Sequence, residues 1–381
     1  VCSAVMCAMP QMLAGWLHDE AAAHAIRALG PAVALVCVSS ALRGFGQGLG
    51  DMLPTAAGQI TESAGKLVIG LALCLVLLNR NAPAELCAAG AIGGVTAGAA
   101  LGLLVTAYLT SRRCTLPEAR DVPPARWETL RQLLAVGVPI TVGAAGMSLI
   151  TLLDQALVTD TLRNTLGYSA AETSALYGQY TFGMTLFQLP PSFIYPVSVS
   201  LMPAITAALT RQDRQAAGSA AGAALKLTTL AALPAGAGLS VLAEPILLLL
   251  YPAVPDTARA AAYHLTFLGL ACVFVCLMVA TNGVLQAYGR PYVPVLTLLC
   301  GGVMKIVTNY LMVGDPATGI RGAAVSTLYC YALIVVLNLL AIARYVPERP
   351  GYIGLFAKPL LLTAVMALAA RSSWGLLARF L

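Results

Sequence analysis

An all-α, polytopic membrane protein made of two helical bundles is the fold class that this sequence predicts, and three observations predict it. Hydrophobic residues fill 59% of the 381 positions and charged residues only 10%, whereas a soluble domain carries about a quarter charged residues. Residues 86–111, 132–153, 173–210 and 322–343 contain no Asp, Glu, Lys or Arg, and each window exceeds the roughly 20 apolar residues that a membrane-crossing helix needs. A Gly-x-x-Gln-x-x-Gly stretch also occurs twice, in ALRGFGQGLGDMLPT (41–55) and in ATNGVLQAYGRPYVP (280–294). The short alternating strands of a membrane β-barrel are absent from the pattern. Lipid offers no partner to an exposed backbone amide, so the spans are expected to be helices.

About eleven spans follow in order: 1–17, 29–49, 53–78, 86–110, 132–159, 174–204, 222–250, 262–288, 292–313, 321–344 and 354–377. The first is short and begins at Val1 with no initiating Met, so the chain reads as lacking N-terminal helices. The second and third meet at the first glycine-rich hairpin. Its glycines permit a tight turn, Gln47 can bond carbonyls at the turn, and Pro54 opens the next helix, where proline is tolerated. The fourth carries Gly90, Gly94, Gly98 and Gly102, a small-residue stripe for close helix approach in lipid. Residues 111–131, with five arginines and three prolines, read as a cytoplasmic connector. The sixth span holds Pro190, Pro191, Pro196 and Pro203, each removing a backbone donor, so it should bend. The ninth begins with the second hairpin, where Gln286 and Pro294 repeat Gln47 and Pro54. These spans divide into a partial N-terminal bundle (1–110), the connector (111–131), a six-helix bundle (132–345) and an additional transmembrane helix (346–381).

Charge sets the orientation. If the loop at Arg43 is cytoplasmic, alternating loops place thirteen Lys and Arg on that side and five on the other, as the positive-inside rule demands. The net charge of +6 then reflects loops facing an anionic leaflet and implies no nucleic-acid partner. The ten cysteines lie in or beside apolar spans with no CxxC and read as small core residues, with no metal site.

Gly44, Gln47, Gly50, Lys66 and Val68 match Gly283, Gln286, Gly289, Lys305 and Val307 at one offset of 239 positions. The two hairpins emerge on the same side, so the bundles are expected to be related by a parallel pseudo-two-fold axis, a known transporter plan with the substrate between the halves. Ionisable residues inside a bilayer are costly and are functional candidates. Glu62 and Lys66 stand at i,i+4 with the acid first; they form either a self-neutralising pair or, with Lys305, a cationic site for a diphosphate. Lys305 has no acid within reach on its own helix, only Asn309 one turn on, and calls for a wet cavity or another helix's carboxylate. Asp154, near the outer end of its span, is expected either to snorkel outward or to act as a counter-ion. Arg43 and Asn282 sit where helices meet the cytoplasmic loops, as positive-inside anchor or as part of an access gate.

The stretches LRGFGQGLGDMLPTAAGQITESAGKLV, GVPITVGAAGMSLITLLDQALV, LGYSAAETSALYGQYTFGMTLFQLPPSFIYPVSVSLMPAIT, TNGVLQAYGRPYVPVLTLLCGGVMKIVTNYLMV and GIRGAAVSTLYCYALIVVLNL resemble the polysaccharide-transporter family. The resemblance is to its stage V sporulation protein B-like branch, within the multidrug/oligosaccharidyl-lipid/polysaccharide exporter superfamily that includes the lipid II flippase. It implies two six-helix bundles and a C-terminal pair, of which this chain begins within the third helix and ends with the thirteenth. The implied function is a flippase of the bacterial plasma membrane that moves a lipid-linked oligosaccharide, a peptidoglycan or polysaccharide precursor, by alternating access. Its partners would be that lipid-linked sugar and membrane lipids, with no cofactor and with the coupling ion unspecified. Two other functions are set against it. A cation-coupled multidrug antiporter of the same fold would use Glu62 and Asp154 on a cation. A membrane glycosyltransferase or polymerase would need a catalytic external loop, and the sequence carries no P-loop, HExxH or catalytic acid pair.

Overall fold

The computed structural model describes residues 2–16, 23–113, 126–346 and 351–377, and these are helical apart from short turns. The first predicted span is two short helices, α1 (Cys2–Ala8) and α2 (Pro10–Trp16), followed by α3 (Ala23–Gly48), α4 (Leu53–Asn79) and α5 (Ala84–Arg113). Then come α6 (Arg126–Asp160), α7 (Ala170–Phe187), α8 (Leu189–Thr210), α9 (Arg214–Val241) and α10 (Ala243–Leu250). Four long helices complete the chain: α11 (Pro255–Ala287), α12 (Tyr292–Val313), α13 (Arg321–Tyr345) and α14 (Tyr352–Leu377). Among the described residues nine segments are long and apolar enough to cross a membrane, against the eleven expected. The difference lies in the short α1 and α2 and in α6, a 35-residue helix outside that set. Most of the 111–131 connector lies outside the described residues.

The predicted span at 174–204 breaks at Gln188. There α7 ends and α8 begins, with Pro190 and Pro191 in its first turns, where a missing N–H costs nothing. Pro196 and Pro203 lie inside α8. The predicted 222–250 span likewise divides into α9 and α10 at Leu242.

Contacts divide the chain into two compact units, residues 1–123 and 124–381. In the first, α5 packs between α3 and α4. The glycine stripe makes this possible. A β-carbon on Gly98 would lie 2.5 Å from the Glu62 carbonyl oxygen and 2.6 Å from the Lys66 nitrogen, and one on Gly94 would collide with Gly70. Thr96 Oγ1 donates to the Ala28 carbonyl at 2.5 Å and ties α5 to α3. In the second unit α11 is the axis; it packs against α7, α8, α9, α10 and α13 and carries Leu265, Leu268, Cys272 and Cys276 in the core. The α12 helix closes on α13 and α6, and α14 lies against α9. Outward-facing leucines such as Leu67, Leu104, Leu249 and Leu361, each about two-thirds exposed or more, would be untenable in water as a continuous patch and suit contact with lipid chains. Cys2, Cys37 and Cys300 are also exposed, so the cysteines are not uniformly core residues.

The two glycine-rich hairpins share one pattern of backbone bonding. In the first, Gly50 N–H donates to Gln47 O at 3.0 Å and Asp51 N–H to Gly46 O at 3.0 Å, with Gly50 at φ 81°. In the second, Gly289 N–H donates to Gln286 O at 3.0 Å and Arg290 N–H to Leu285 O at 2.9 Å, with Gly289 at φ 72°. Each is a Schellman cap, in which a left-handed residue satisfies the helix's last carbonyls. Gln47 does not bond the turn carbonyls, contrary to expectation: its Nε2 reaches Thr55 Oγ1 at 3.3 Å. Asp51 instead accepts from Arg113 Nε at 2.9 Å, which fastens the α3–α4 hairpin to the end of α5 and holds the Asp51 carboxyl below its ordinary value.

Gly98→Val is expected to cost about 1–3 kcal/mol or more, because backbone rather than a flexible side chain blocks the space. Gly44→Ala, with nothing within 4 Å of the new carbon, should be tolerated. Thermal unfolding and monodispersity of the two purified variants in detergent measure the contrast.

Candidate functional site

Two clusters of charge lie inside the membrane-spanning helices, one in each unit. In the first, α4 presents Glu62 and Lys66 one turn apart, and the stripe of α5 lets both approach its backbone. Lys66 Nζ stands 2.8 Å from Glu62 Oε1, and Arg43 Nη2, from α3, stands 2.6 Å from Glu62 Oε2. Arg43, expected as a positive-inside anchor or part of an access gate, is an ion-pair partner of Glu62 within the bundle. The Glu62 and Arg43 side chains are 11% and 13% exposed, while Lys66 is 39% exposed. Two cations share one carboxylate, so the cluster keeps a net positive charge. Arg43 Nε is buried with no hydrogen-bond partner among the described residues.

In the second cluster Asp154 of α6 is buried at 3% exposure, so it does not snorkel outward as one sequence reading held. Its Oδ2 lies 3.0 Å from Lys305 Nζ on α12, and its Oδ1 accepts from Asn309 Nδ2 at 2.6 Å. Lys305 Nζ also donates to Thr327 Oγ1 of α13 at 3.1 Å. Tyr180 OH of α7 lies 3.4 Å from Asp154 Oδ2 and 3.2 Å from Thr327 Oγ1, and Ser326 Oγ donates to Asn309 Oδ1. Four helices thus converge on one neutral, hydrogen-bonded pair. Another helix's carboxylate, rather than a wet cavity, meets the demand of Lys305: the space beside the pair is about 10 Å³, too small for a ligand. A lysine whose charge is taken up by Asp154 offers none to a diphosphate, so the sequence-based partnership of Lys66 with Lys305 loses its second member.

A third polar group was not foreseen. Asn338 of α13 is fully buried. It accepts from Thr297 Oγ1 at 2.7 Å and donates through Nδ2 to Thr281 Oγ1 at 3.0 Å and to Asn282 Oδ1 at 2.8 Å. Asn282, expected at a gate, is held by this amide chain. With Gln286 it lines a cavity of about 370 Å³ between α6, α8, α11 and α12. Tyr180, Thr327 and Asn338 were missed because single hydroxyls and amides are common in apolar spans; a lone Asn inside the charge-free 322–343 run was the available signal.

The helical order and packing define a class, the multi-pass transporter fold of the MATE type. The chain superposes on the outward-facing conformation of a multidrug resistance MATE family transporter of the MOP superfamily. That TM-score is 0.73 at 17% identity, covering 91% of this chain and 75% of that one. It superposes on a MOP superfamily transporter from Pyrococcus furiosus with a TM-score of 0.73 at 18% identity, covering 91% and 76%. The family profile described as lipid II flippase MurJ matches residues 66–380, and the chain belongs to that family. Among curated relatives of Bacillus subtilis (strain 168) it is 28% identical to the uncharacterized membrane protein YabM over 342 residues, 88% of this chain and 62% of that one. It is 24% identical to stage V sporulation protein B (89% and 64%) and 22% identical to lipid II flippase MurJ (84% and 60%). The chain thus spans somewhat under two thirds of the length of these relatives.

Lys305→Met would leave Asp154 as a buried, uncompensated charge, expected to cost about 3–5 kcal/mol. Adding Asp154→Asn should recover much of that loss. Chemical or thermal unfolding of the singles and the double closes the cycle; additive losses would mean the pair does not interact.

Proposed function

We propose that the protein is a flippase that carries a lipid-linked oligosaccharide, a peptidoglycan or polysaccharide precursor, across the bacterial plasma membrane by alternating access. The single observation that carries the reading is the Arg43–Glu62–Lys66 cluster, with two cations on one carboxylate and Lys66 partly exposed. A site with surplus positive charge in a low-dielectric slab favours an anionic headgroup, and Lys and Arg are the residues that hold phosphate. The family description, lipid II flippase MurJ, and the same name on the relative at 22% identity support the same substrate class. The same surplus charge weighs against the antiporter of cationic drugs, because it would repel the ligand.

In this reading Lys66 and Arg43 meet the diphosphate, and Glu62 holds both cations in place and lowers their cost of burial. The buried Asp154–Lys305 pair with Asn309 is a structural fastening of the second unit and touches no substrate. Gln47 stiffens the hairpin through Thr55.

The test is transport by the protein reconstituted in liposomes, read with a fluorescent lipid-diphosphate sugar. Lys66→Gln and Arg43→Gln are each expected to slow translocation by about tenfold or more, the worth of one charge-assisted hydrogen bond of about 1.5–3 kcal/mol. Arg259→Gln, at an exposed residue whose ion pair is with Asp256 on its own helix, should leave the rate unchanged. Unaltered rates in both cluster variants, or efflux of cationic dye by the wild type, would defeat the proposal.

A further inference from the structure

The 370 Å³ cavity of the second unit has a polarity that its hydrogen-bond chain fixes. Thr281 Oγ1 donates to its own helix at Leu277 O, 2.8 Å away, so toward Asn338 it can only accept. Asn338 must therefore present its NH₂ to Thr281, and the same NH₂ group reaches Asn282 Oδ1. Its carbonyl then faces Thr297 Oγ1, which can donate. With its oxygen occupied, Asn282 has its own NH₂ without a hydrogen bond among the described residues, and the side chain lines the cavity. An amide carries two such donors.

The remaining walls are largely apolar: Pro139 and Ile140 of α6, Met202 of α8, Met278 of α11, Val295 and Leu298 of α12. Among the described residues no charged side chain lines the space, so it is unsuited to a phosphate, and with Asn282, Gln286 and Tyr195 as its polar side chains against mostly apolar walls it offers few partners to a sugar. It fits a hydrocarbon chain that bears one neutral oxygen acceptor. Its depth narrows the choice. The 33 residues of α11 span about 50 Å, so the helix, centred in a bilayer of roughly 40–45 Å, reaches the outer edge of the headgroups at each end. Asn282 is five residues short of Ala287, the last residue of α11, or about 8 Å down the axis. That is the level at which glycerolipid esters join their chains. This end of the unit also carries Arg211, Arg214, Arg290 and Arg344, the side that the positive-inside rule assigns to the cytoplasm.

We infer that the cavity is a binding site for one acyl chain of a cytoplasmic-leaflet glycerolipid, whose ester carbonyl accepts from Asn282 Nδ2. The inference does not rest on the transported substrate, because it concerns a neutral pocket in the unit that lacks the cationic cluster.

Delipidated protein in detergent is titrated with phosphatidylglycerol carrying ester-linked chains and with its ether-linked analogue of the same headgroup and chain length, and lipid retention is read by native mass spectrometry. The ester lipid should bind about three- to tenfold more tightly, the range expected for one neutral hydrogen bond. Asn282→Leu should abolish that preference. Gly143→Leu, where a first carbon meets only Val295 at 3.5 Å and the rest projects into the cavity, should reduce retention of both lipids while the protein stays folded. Equal retention of ester and ether lipids by the wild type, or undiminished retention by a folded Gly143→Leu, overturns the inference. Because the readout is binding rather than transport, failure here leaves the flippase reading standing, and the reverse also holds.

Discussion

No buried charge stands alone among the described residues of this protein, and much of the architecture follows from that requirement. Burying one carboxylate without a partner costs several kcal/mol even after relaxation, comparable with the marginal stability of a whole domain. Glu62 can lie within the first unit because Arg43 and Lys66 reach its two oxygens. Asp154 can lie within the second because Lys305, Asn309 and Tyr180 surround it. Each set draws residues from more than one helix, so meeting the electrostatic demand also sets which helices touch.

Packing makes those meetings physically reachable. Without hydrophobic drive between helices in lipid, close approach depends on small residues, and α5 supplies them opposite Glu62, Lys66 and Gly70. The second unit solves the same problem differently: α12 and α13 meet through Gly301 against Ile334, and polar contacts of Thr327, Ser326 and Asn338 run along the seam. The helix ends are closed by Schellman caps at Gly50 and Gly289, leaving stiff hairpins on the arginine-rich side.

Much of the fold was legible because its determinants are local. Charge-free runs, hairpin glycines and proline positions each act within a few residues, and they located nearly all of the long helices. The short α1 and α2 were not legible, since apolar composition alone does not show where a helix stops. The Glu62–Lys66 pair was also legible, being one helical turn. Asp154 with Asn309, 155 positions apart, was not: no sequence period connects two helices that meet only through packing. Asp154 looked able to snorkel because it stands near a span end, but α7 and α13 cover that face with Tyr180 and Thr327. The partner of Arg43 was hidden for the same reason, its place beside a loop concealing a carboxylate on the next helix.

Gly301 occupies in the second hairpin pair the place that Glu62 holds in the first, at the common 239-residue offset, and Asn282 occupies that of Arg43. A β-carbon at 301 would press to 2.5 Å from Ile334 Cδ1, so no acid fits there. A cation at 282 would then have nothing to neutralise it, and an amide is the polar residue that remains tolerable at that point. The residues at the two positions are thus coupled: where 301 has no room for an acid, 282 carries an amide. The first unit balances Lys66 with an acid on its own helix, whereas the second takes its carboxylate from α6 and keeps an amide at 282, so the two halves answer one electrostatic demand with different residues.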